Sequence, residues 1–547
     1  MQAAPPEAGD REIIVAVVAP VGGPTDETLA ALEHAFQNHD FGVKEVRISD
    51  LLDKALPTPP GDEALPRVLR LMNKGDRFRA QTDDDAACAY MAAQAISLAR
   101  EQKTGSVRVH RPKHVNLVRS LKTPEEVQVL RSIYGDRAIV VGVSASRADR
   151  RRELARVLKE EGIVAPTDLN AKVEYLLDRD EKDYIERHGQ RASEAYRLAD
   201  AFVATRTKVD EPQVERLVEL LLGAPFITPS RDEYGMFHAF AAKLRSSAAG
   251  RQVGAAIVDL DGEIVAVGCN DVPKPGGGQY WEGDKADRRD FQLGYDANDR
   301  GKFGVALDVL QGLAQADWLA RDQAELSPAD RAEAALGSEG PLRKTQVDDL
   351  IEYGRIVHAE MAAILTAARS GRAIRGCTLY TTTYPCHECF RLIIGAGIAR
   401  VSYVDPYQKS RAPELFAEML HEGPGRDPVV VEPFVGVSQR LFARAFEMSN
   451  RTKGLRGEYL LWERKALLAD NEEIADSIPD QEEAAAAYLA VRVAEADEQE
   501  TATRGDGRLL AEPDAHMLPT AAAESALDTG DTGADEGESG QRMSDPG

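Results

Sequence analysis

The chain contains few cysteines and no long apolar segment. Only five cysteines occur among 547 residues, too few for a disulfide framework, and this scarcity predicts a reducing compartment. No uninterrupted apolar run approaches the roughly 20 residues that a membrane-spanning helix needs. The N-terminus lacks the basic and apolar regions of a secretory signal. We therefore expect a cytoplasmic protein that has no membrane partner.

Aromatic residues and positive charge are also scarce. Aromatics make up 6% of the chain, and the formal net charge is −24 with a pI near 5.0. An acidic chain repels polyphosphate backbones, and channels for single strands need basic and aromatic walls, so a long nucleic-acid substrate is disfavoured. A hydrophobic content of 43% still permits buried cores, and the length allows two or three domains.

Two short segments carry the strongest chemical signal, His-Ala-Glu at 358–360 and Pro-Cys-His-Glu-Cys at 385–389. Imidazole and thiolate are preferred zinc ligands, and a catalytic zinc ion keeps three protein ligands and one open position. We predict that His358, Cys386 and Cys389 are these three ligands. Zinc bound in this way lowers the pKa of a water molecule, which makes a nucleophile available near neutral pH.

Glu360 follows the histidine and is predicted to move protons from the water to a leaving amine without binding the metal. His-x-Glu combined with Pro-Cys-x-x-Cys is the signature of zinc nucleobase deaminases. The alternative is a purely structural zinc knuckle. Such a site requires a fourth protein ligand, and Cys377 and His387 are the only nearby candidates in the sequence.

The residues around the motif predict that both ligand segments lie at helix N-termini. Residues 361–369 have a helical pattern, and residues 378–383 are rich in β-formers. Pro385 is expected in the first turn of a helix that continues to residue 394. At such positions the positive end of the helix dipole favours thiolate over thiol.

Residues 10–205 are predicted to form a doubly wound α/β domain. A buried strand at 13–19, a glycine turn, a helix at 26–38 and a strand at 42–48 follow one another. This order is typical of the beginning of a nucleotide-binding α/β unit.

The glycine turn contains Gly22, Gly23 and Thr25. A working phosphate loop would end in Gly-Lys-Ser/Thr, and the lysine is absent here. Two interpretations stay open, namely a degenerate nucleotide pocket or regulatory surface, and a tight turn in an inert domain.

Residues 229–445 are predicted to form a three-layer α/β/α domain around a mixed sheet. An insert at about 273–346 is too long to be structureless in a compact domain, so we expect helices there. Residues 446–497 are compatible with a helical extension. Residues 498–547 are rich in Ala, Asp, Glu, Gly and Ser, which predicts a disordered acidic tail.

The second domain resembles the deoxycytidylate deaminase family of the cytidine deaminase superfamily over about residues 229–440. The matching segments are the two zinc segments and 236–241, 245–247, 253–258 and 268–270. The resemblance implies a cytidine-deaminase-like fold, Zn²⁺, attack at C4 of cytosine in free dCMP or dCTP, and a homo-oligomer. Asn270 matches a family asparagine that contacts substrate, although Cys269 and Asp271 replace the tyrosine and glycine beside it.

The whole chain is similar to bacterial anti-phage deoxycytidine nucleotide deaminases, which join a P-loop-kinase-like N-terminal domain to such a deaminase. The softer matches are 119–122, 124–126 and 179–180. The resemblance implies defence by nucleotide depletion, and we expect control by a nucleotide, an RNA or a phage component. Two rival functions remain, a polynucleotide-editing deaminase and a catalytically idle sensor of nucleotide or phage state.

Overall fold

The structure is a computed structural model, which describes residues 12–505 apart from 182, 184–185, 205–209, 339, 344, 407–409, 422–427, 448–452, 454–455 and 460–471. Contacts group residues 1–494 into one compact unit and residues 495–547 into a second. Both β-sheets belong to the first unit. Within the described ranges, no helix is long and apolar enough to cross a membrane.

The N-terminal part alternates strands and helices. Its elements are β1 (Ile13–Val18), α1 (Thr25–Asn38), β2 (Gly42–Arg47), α2 (Ile48–Ala55), α3 (Arg67–Thr82), α4 (Ala87–Thr104), β3 (His114–Arg119), α5 (Pro124–Tyr134), β4 (Ala138–Ser144), α6 (Arg147–Glu161), α7 (Leu169–Glu181), α8 (Ala192–Tyr196), β5 (Ala201–Ala204) and α9 (Glu211–Leu221).

The first sheet is buried on both faces. Strands β5, β4, β1, β3 and β2 lie side by side in that order and are all parallel. Side chains of β1 alternate between two hydrophobic clusters: Ile14 and Ala16 enter one, and Ile13 and Val15 enter the other. A continuous apolar strand is expected where helices cover both faces of a parallel sheet. The structure therefore has the α/β layering that the sequence predicts for this part.

The C-terminal part contains a second sheet and most of the remaining helices. Its elements are α10 (Arg231–Lys243), β6 (Gly254–Val258), β7 (Ile264–Cys269), α11 (Asp290–Leu293), α12 (Ala297–Gln315), α13 (Arg321–Ala324), α14 (Pro328–Leu336), α15 (Ala359–Arg369), β8 (Thr378–Thr383), α16 (His387–Gly395), β9 (Arg400–Asp405), α17 (Ala412–Leu415), β10 (Leu420–His421), β11 (Val429–Pro433), β12 (Gly436–Val437), α18 (Gln439–Phe446) and α19 (Glu472–Gly505).

The second sheet is mixed, and helices cover both of its faces. Its order is β10-β11-β9-β8-β6-β7, with β6 antiparallel to both of its neighbours and the other pairs parallel. Ala255 and Ile257 pack with α15 and α16 in one cluster, while Ala256 and Val258 pack with α10 in another. Helices α11 to α14 occupy the predicted insert.

The last part of the chain returns to the first sheet. Strand β12 pairs antiparallel with β5, although the sequence places residues 436–437 in the second domain. The predicted helical extension contains α19, which continues past residue 498, where the tail is predicted to begin, to Gly505. The rest of the predicted tail, residues 506–547, lies outside the described residues.

Helix α19 is joined to the N-terminal part by a buried ionic network. The Arg100 guanidinium lies 2.6 Å from a carboxylate oxygen of Glu12 and 2.5 Å from one of Glu482. The Tyr134 hydroxyl donates a hydrogen bond of 2.9 Å to Glu482. All four side chains are buried. A buried ion pair resists separation because removing one partner leaves the other charge without compensation.

We expect Glu482→Gln to lower the free energy of unfolding by about 2 kcal/mol, because Arg100 and Tyr134 lose a charged partner while Glu12 stays in place. Urea denaturation followed by circular dichroism measures this difference. The control is Glu483→Gln at the adjacent exposed position. Equal denaturation midpoints for the two variants would contradict a stabilising network.

The same network predicts a pH dependence of stability. Burial opposes ionisation of Glu12, but hydrogen bonding with His110 and the charges of Arg100 and Arg111 hold its pKa at about 2, below the ordinary 4.5. A lowered folded-state pKa gives stability that is complete above about pH 5 and lost as the pH falls toward 2. The stability difference between wild type and Glu12→Gln should therefore be constant above pH 5 and shrink between pH 5 and 3. Denaturation series at several pH values test this, and a constant difference throughout would contradict it.

Candidate active site

The three predicted zinc ligands lie together at the N-terminal ends of two helices that pack on the second sheet. His358 is the N-cap residue of α15, and Cys386 is the N-cap residue of α16. Cys389 lies one turn into α16. The prediction that both ligand segments lie at helix N-termini is confirmed. The prediction that Pro385 lies in the first turn of α16 is wrong. Pro385 precedes the N-cap, because Cys386 has an extended backbone and the helix begins at the following residue.

The spacing of the three ligand atoms fits a zinc ion. His358 Nδ1 lies 3.3 Å from each of the two sulfur atoms, and the sulfur atoms of Cys386 and Cys389 are 3.6 Å apart. Tetrahedral zinc with bonds of about 2.3 Å to sulfur and about 2.0 Å to nitrogen requires a sulfur–sulfur edge of about 3.8 Å and sulfur–nitrogen edges of about 3.5 Å. A small outward movement of the ligands would therefore admit the ion.

The donor set contains three ligands and not four. Among the described residues, the cluster of ligand atoms at this site consists of His358, Cys386 and Cys389 only. Cys377 packs in the hydrophobic cluster of this sheet, and His387 faces Glu388. Neither of the two candidates for a fourth ligand therefore belongs to the cluster of ligand atoms. This donor set is that of a zinc site with one open position.

Burial and mutual hydrogen bonding change the acidity of the two cysteines. The Cys389 thiol and the neighbouring His358 lower the pKa of Cys386 to about 4. The pKa of Cys389 is raised well above its ordinary value, because its hydrogen bond to Cys386 and its burial both favour the thiol. The N-terminus of α16 further favours negative charge at this position. One thiolate is therefore available before any metal binds.

Glu360 lies beside the ligands but is not one of them. Its carboxyl group is fully buried in the first turn of α15, and Oε2 lies 3.3 Å from the Cys389 sulfur. Burial raises the pKa of Glu360. The Thr381 hydroxyl shares its hydrogen between Glu360 Oε1, at 2.9 Å, and the Thr383 carbonyl oxygen, at 3.0 Å. One oxygen of the carboxylate is thereby held, and the other faces the metal position.

Thr381 is a positioning residue that the motif analysis missed. It lies on β8 and is completely buried. The only signal in the sequence is a run of three threonines, 381–383, in a strand of six residues that contains four threonines. A buried hydroxyl needs a hydrogen-bond partner, but the sequence alone does not reveal that this partner is Glu360.

A glycine on β7 allows α15 to reach its position. A Cβ atom at Gly268 would lie 2.4 Å from both the Ala359 oxygen and the Ala363 nitrogen. These backbone atoms belong to the first turns of α15, next to His358 and Glu360. Contact at that distance is impossible, so only glycine permits this approach.

Asn270, the predicted substrate residue, holds the backbone of a neighbouring loop. Its Oδ1 accepts a hydrogen bond of 2.6 Å from the Val253 amide, and its Nδ2 donates one of 2.7 Å to the Arg251 oxygen. The side chain thus stabilises the loop that precedes β6. Its contact with substrate stays a prediction.

The glycine turn lies in the other sheet, at the end of β1, and is not part of the metal site. Gly22 has φ +73°, and a Cβ atom there would lie 2.5 Å from the Arg150 oxygen. Gly23 is similarly tight against the Pro20 oxygen, and the Thr25 hydroxyl turns back to the Gly23 oxygen. Both glycines are therefore required by the turn itself.

A backbone amide of this turn donates its hydrogen bond to a carboxylate of the protein itself. The Val21 amide donates a hydrogen bond of 2.7 Å to Asp180, and Lys122 Nζ lies 2.5 Å from the same carboxylate. Lys122 also donates to the Ala19 oxygen. The lysine of a phosphate loop is absent from the turn itself, but a lysine from a later loop, which the glycine motif does not indicate, reaches it. The turn nevertheless borders a large cleft of about 770 Å³.

Comparisons with known proteins concern the second sheet and its helices. The family model described as the cytidine and deoxycytidylate deaminase zinc-binding region matches residues 229–405. The deoxycytidylate deaminase of enterobacteria phage T2 is 44% identical over 55 residues, which are 10% of this chain and 29% of that enzyme. Human deoxycytidylate deaminase is 27% identical over 180 residues, which are 32% of this chain and 67% of that enzyme.

A solved structure also matches this part of the chain. The apo form of dCMP deaminase from the cyanophage S-TIM5 is 18% identical, and the match covers 38% of this chain and 99% of that chain with a TM-score of 0.21. The chain spans less than a third of the length of the phage T2 relative. From the family match and these relatives, residues 229–405 of the chain are similar to the zinc-binding region of cytidine and deoxycytidylate deaminases.

Proposed function

We propose that the chain catalyses zinc-dependent hydrolytic deamination of free deoxycytidine nucleotides, converting dCMP, dCTP or both to dUMP or dUTP. The observation that supports this most strongly is the convergence of His358, Cys386 and Cys389 beside the buried carboxyl group of Glu360. Three ligands leave one position for a water molecule, and a carboxyl group next to that position can move protons.

The proposed roles of the residues follow from their positions. Zinc in this site would polarise a water molecule and so supply the nucleophile. Glu360 accepts a proton on the oxygen that faces the metal position and delivers it to the amino group that leaves C4 of the base. Thr381 keeps the other oxygen fixed, so the carboxyl group cannot rotate away. Positioned acid–base catalysis of this kind contributes about 10²–10⁴-fold to the rate.

A free nucleotide is the substrate class that the comparisons and the composition favour. Several of the relatives that match, among them those of phage T2 and human, are named deoxycytidylate deaminases. A net charge of −24 and 6% aromatics disfavour a polynucleotide substrate. A catalytically idle sensor has no chemical need for Glu360 or for the threonine that holds it. Both rivals are therefore less well supported than nucleotide deamination.

The cellular role that we propose is defence against phage by depletion of deoxycytidine nucleotides. The N-terminal part would then control the deaminase through a nucleotide, an RNA or a phage component, and the chain would act as a homo-oligomer. These proposals rest on the resemblance of the whole chain to bacterial anti-phage deaminases. The internal ion pair at the glycine turn, between Lys122 and Asp180, favours a regulatory or structural role there over phosphoryl transfer.

The substrate is tested by incubating zinc-loaded protein separately with dC, dCMP, dCTP, CMP and CTP and measuring the products by mass spectrometry. Deamination of dCMP or dCTP, with slower turnover of the ribonucleotides and of dC, supports the proposal. Turnover of none of the five compounds, or preference for a ribonucleotide, would reject it.

We expect Glu360→Gln to retain zinc and to lose at least about 10²-fold in kcat, because the amide can occupy the same volume but cannot carry protons. Zinc content by plasma emission and dCMP turnover are measured on the same sample. Glu414→Gln, at an exposed position of α17, is the control. A zinc-loaded Glu360→Gln protein with wild-type kcat would show that another group moves the protons.

We expect Cys386→Ala and Cys389→Ala each to lose both zinc and activity, because only two protein ligands would remain. The matched control is Cys377→Ala, which removes a buried thiol of the same sheet that does not face the metal position. Zinc content by plasma emission decides the outcome. Full zinc occupancy in either ligand variant would mean that the ligand set is wrong.

A further inference from the structure

A cavity of about 360 Å³ lies between the two sheets. One wall consists of the carboxyl ends of β1 and β4, with Val18 and Ser144, together with helix α8. The opposite wall comes from the second sheet, with Tyr384 after β8 and Tyr403 on β9. The volume lies within the range of small-molecule sites, about 300–1,000 Å³.

The first wall lies where the topology of the sheet diverges. From β1 the chain crosses through α1 to β2 at one edge of the sheet, whereas from β4 it proceeds to β5 on the other side. The connections therefore leave β1 and β4 in opposite directions and open a crevice at their carboxyl ends. Such a switch point is where open α/β sheets bind ligands.

The lining combines aromatic rings with hydroxyl groups. Tyr384 and Tyr403 pack edge to face, with ring centroids 4.9 Å apart at 82°. Ser144 and Ser193 contribute hydroxyl groups from the first sheet and α8. A planar ring can contact the tyrosines, while sugar-type hydroxyls can bond to the hydroxyl side.

The charged groups of the lining already neutralise one another. Arg150 lies 2.6 Å from Glu181, and Arg147 lies 3.0 Å from the same carboxylate and 2.5 Å from Asp178. A phosphate in this cavity would face two carboxylates and would have to compete with them for both guanidinium groups. Repulsion between these carboxylates and a bound phosphate therefore disfavours an anionic ligand.

We propose that this cavity binds an uncharged nucleoside, by ring contact with Tyr384 and Tyr403 and hydrogen bonds from the sugar to Ser144 and Ser193. The site is separate from the metal site and takes a ligand without phosphate, unlike the proposed substrates. It lies close to the zinc ligands along the chain: Ser410, which also lines the cavity, donates a hydrogen bond of 2.8 Å to the oxygen of Pro385, the residue before Cys386.

The test is calorimetric titration of the full-length zinc protein with adenosine, guanosine, thymidine and deoxyuridine, each compared with its 5′-monophosphate. At least one nucleoside should bind with a dissociation constant below about 1 mM, or −4.1 kcal/mol, and its monophosphate should bind at least tenfold more weakly. No nucleoside binding at that level, or equal binding of the monophosphate, would overturn the proposal.

Variants of Ser193 locate the binding. Ser193→Phe fills the cavity from α8 and should weaken nucleoside binding at least tenfold, whereas Ser193→Ala removes only one hydroxyl and should change it less than threefold. Zinc content and dCMP turnover of both variants should match wild type, which separates this site from the metal site. If Ser193→Phe does not fold, Ser193→Leu replaces it. Wild-type nucleoside affinity in the filled variant would place the ligand elsewhere and reject the proposal.

Discussion

The geometry of the metal site depends on how closely α15 approaches β7. At Gly268 the strand carries no side chain, and the backbone of the first turns of α15 occupies the space where a Cβ atom would be. This contact fixes the end of the helix from which His358 and Glu360 project. Helix α16 must then begin opposite that end for its two cysteines to reach the same point. The spacing of the three candidate ligands thus follows from the packing of these two helices on the sheet.

The N-terminal glycine turn is held by hydrogen bonds and an ion pair within the protein. Its amide and the nearby Lys122 both bond to Asp180, a carboxylate that is completely buried. Hydrogen bonds to charged groups contribute about 1.5–3 kcal/mol each, so an incoming phosphate must replace both of these interactions before it gains anything. This internal pairing stabilises the turn through groups of the protein itself.

Local patterns predicted most of the strands and helices around the candidate metal site, and the motif spacing predicted three side chains that the structure brings together. The bounds of β1, α1 and β8 agree closely with the sequence patterns because burial on a strand or helix repeats over a few residues. Thr381 and Lys122 were missed because their partners, Glu360 and Asp180, are distant in sequence. The return of β12 to the first sheet was missed for the same reason, since a strand of two residues carries no periodic signal.

The two sheets also share a core, which composition alone could not indicate. One hydrophobic cluster contains Tyr196 of α8 and Phe202 of β5 from the N-terminal part, Met236 of α10 and Val404 of β9 from the C-terminal part, and Leu489 from α19. Removing any one of these elements would expose apolar surface on the other two. The catalytic region is therefore stabilised in part by the N-terminal sheet and by the C-terminal helix. A change in how those elements pack can reach the loops that precede Cys386 without any change at the ligands themselves.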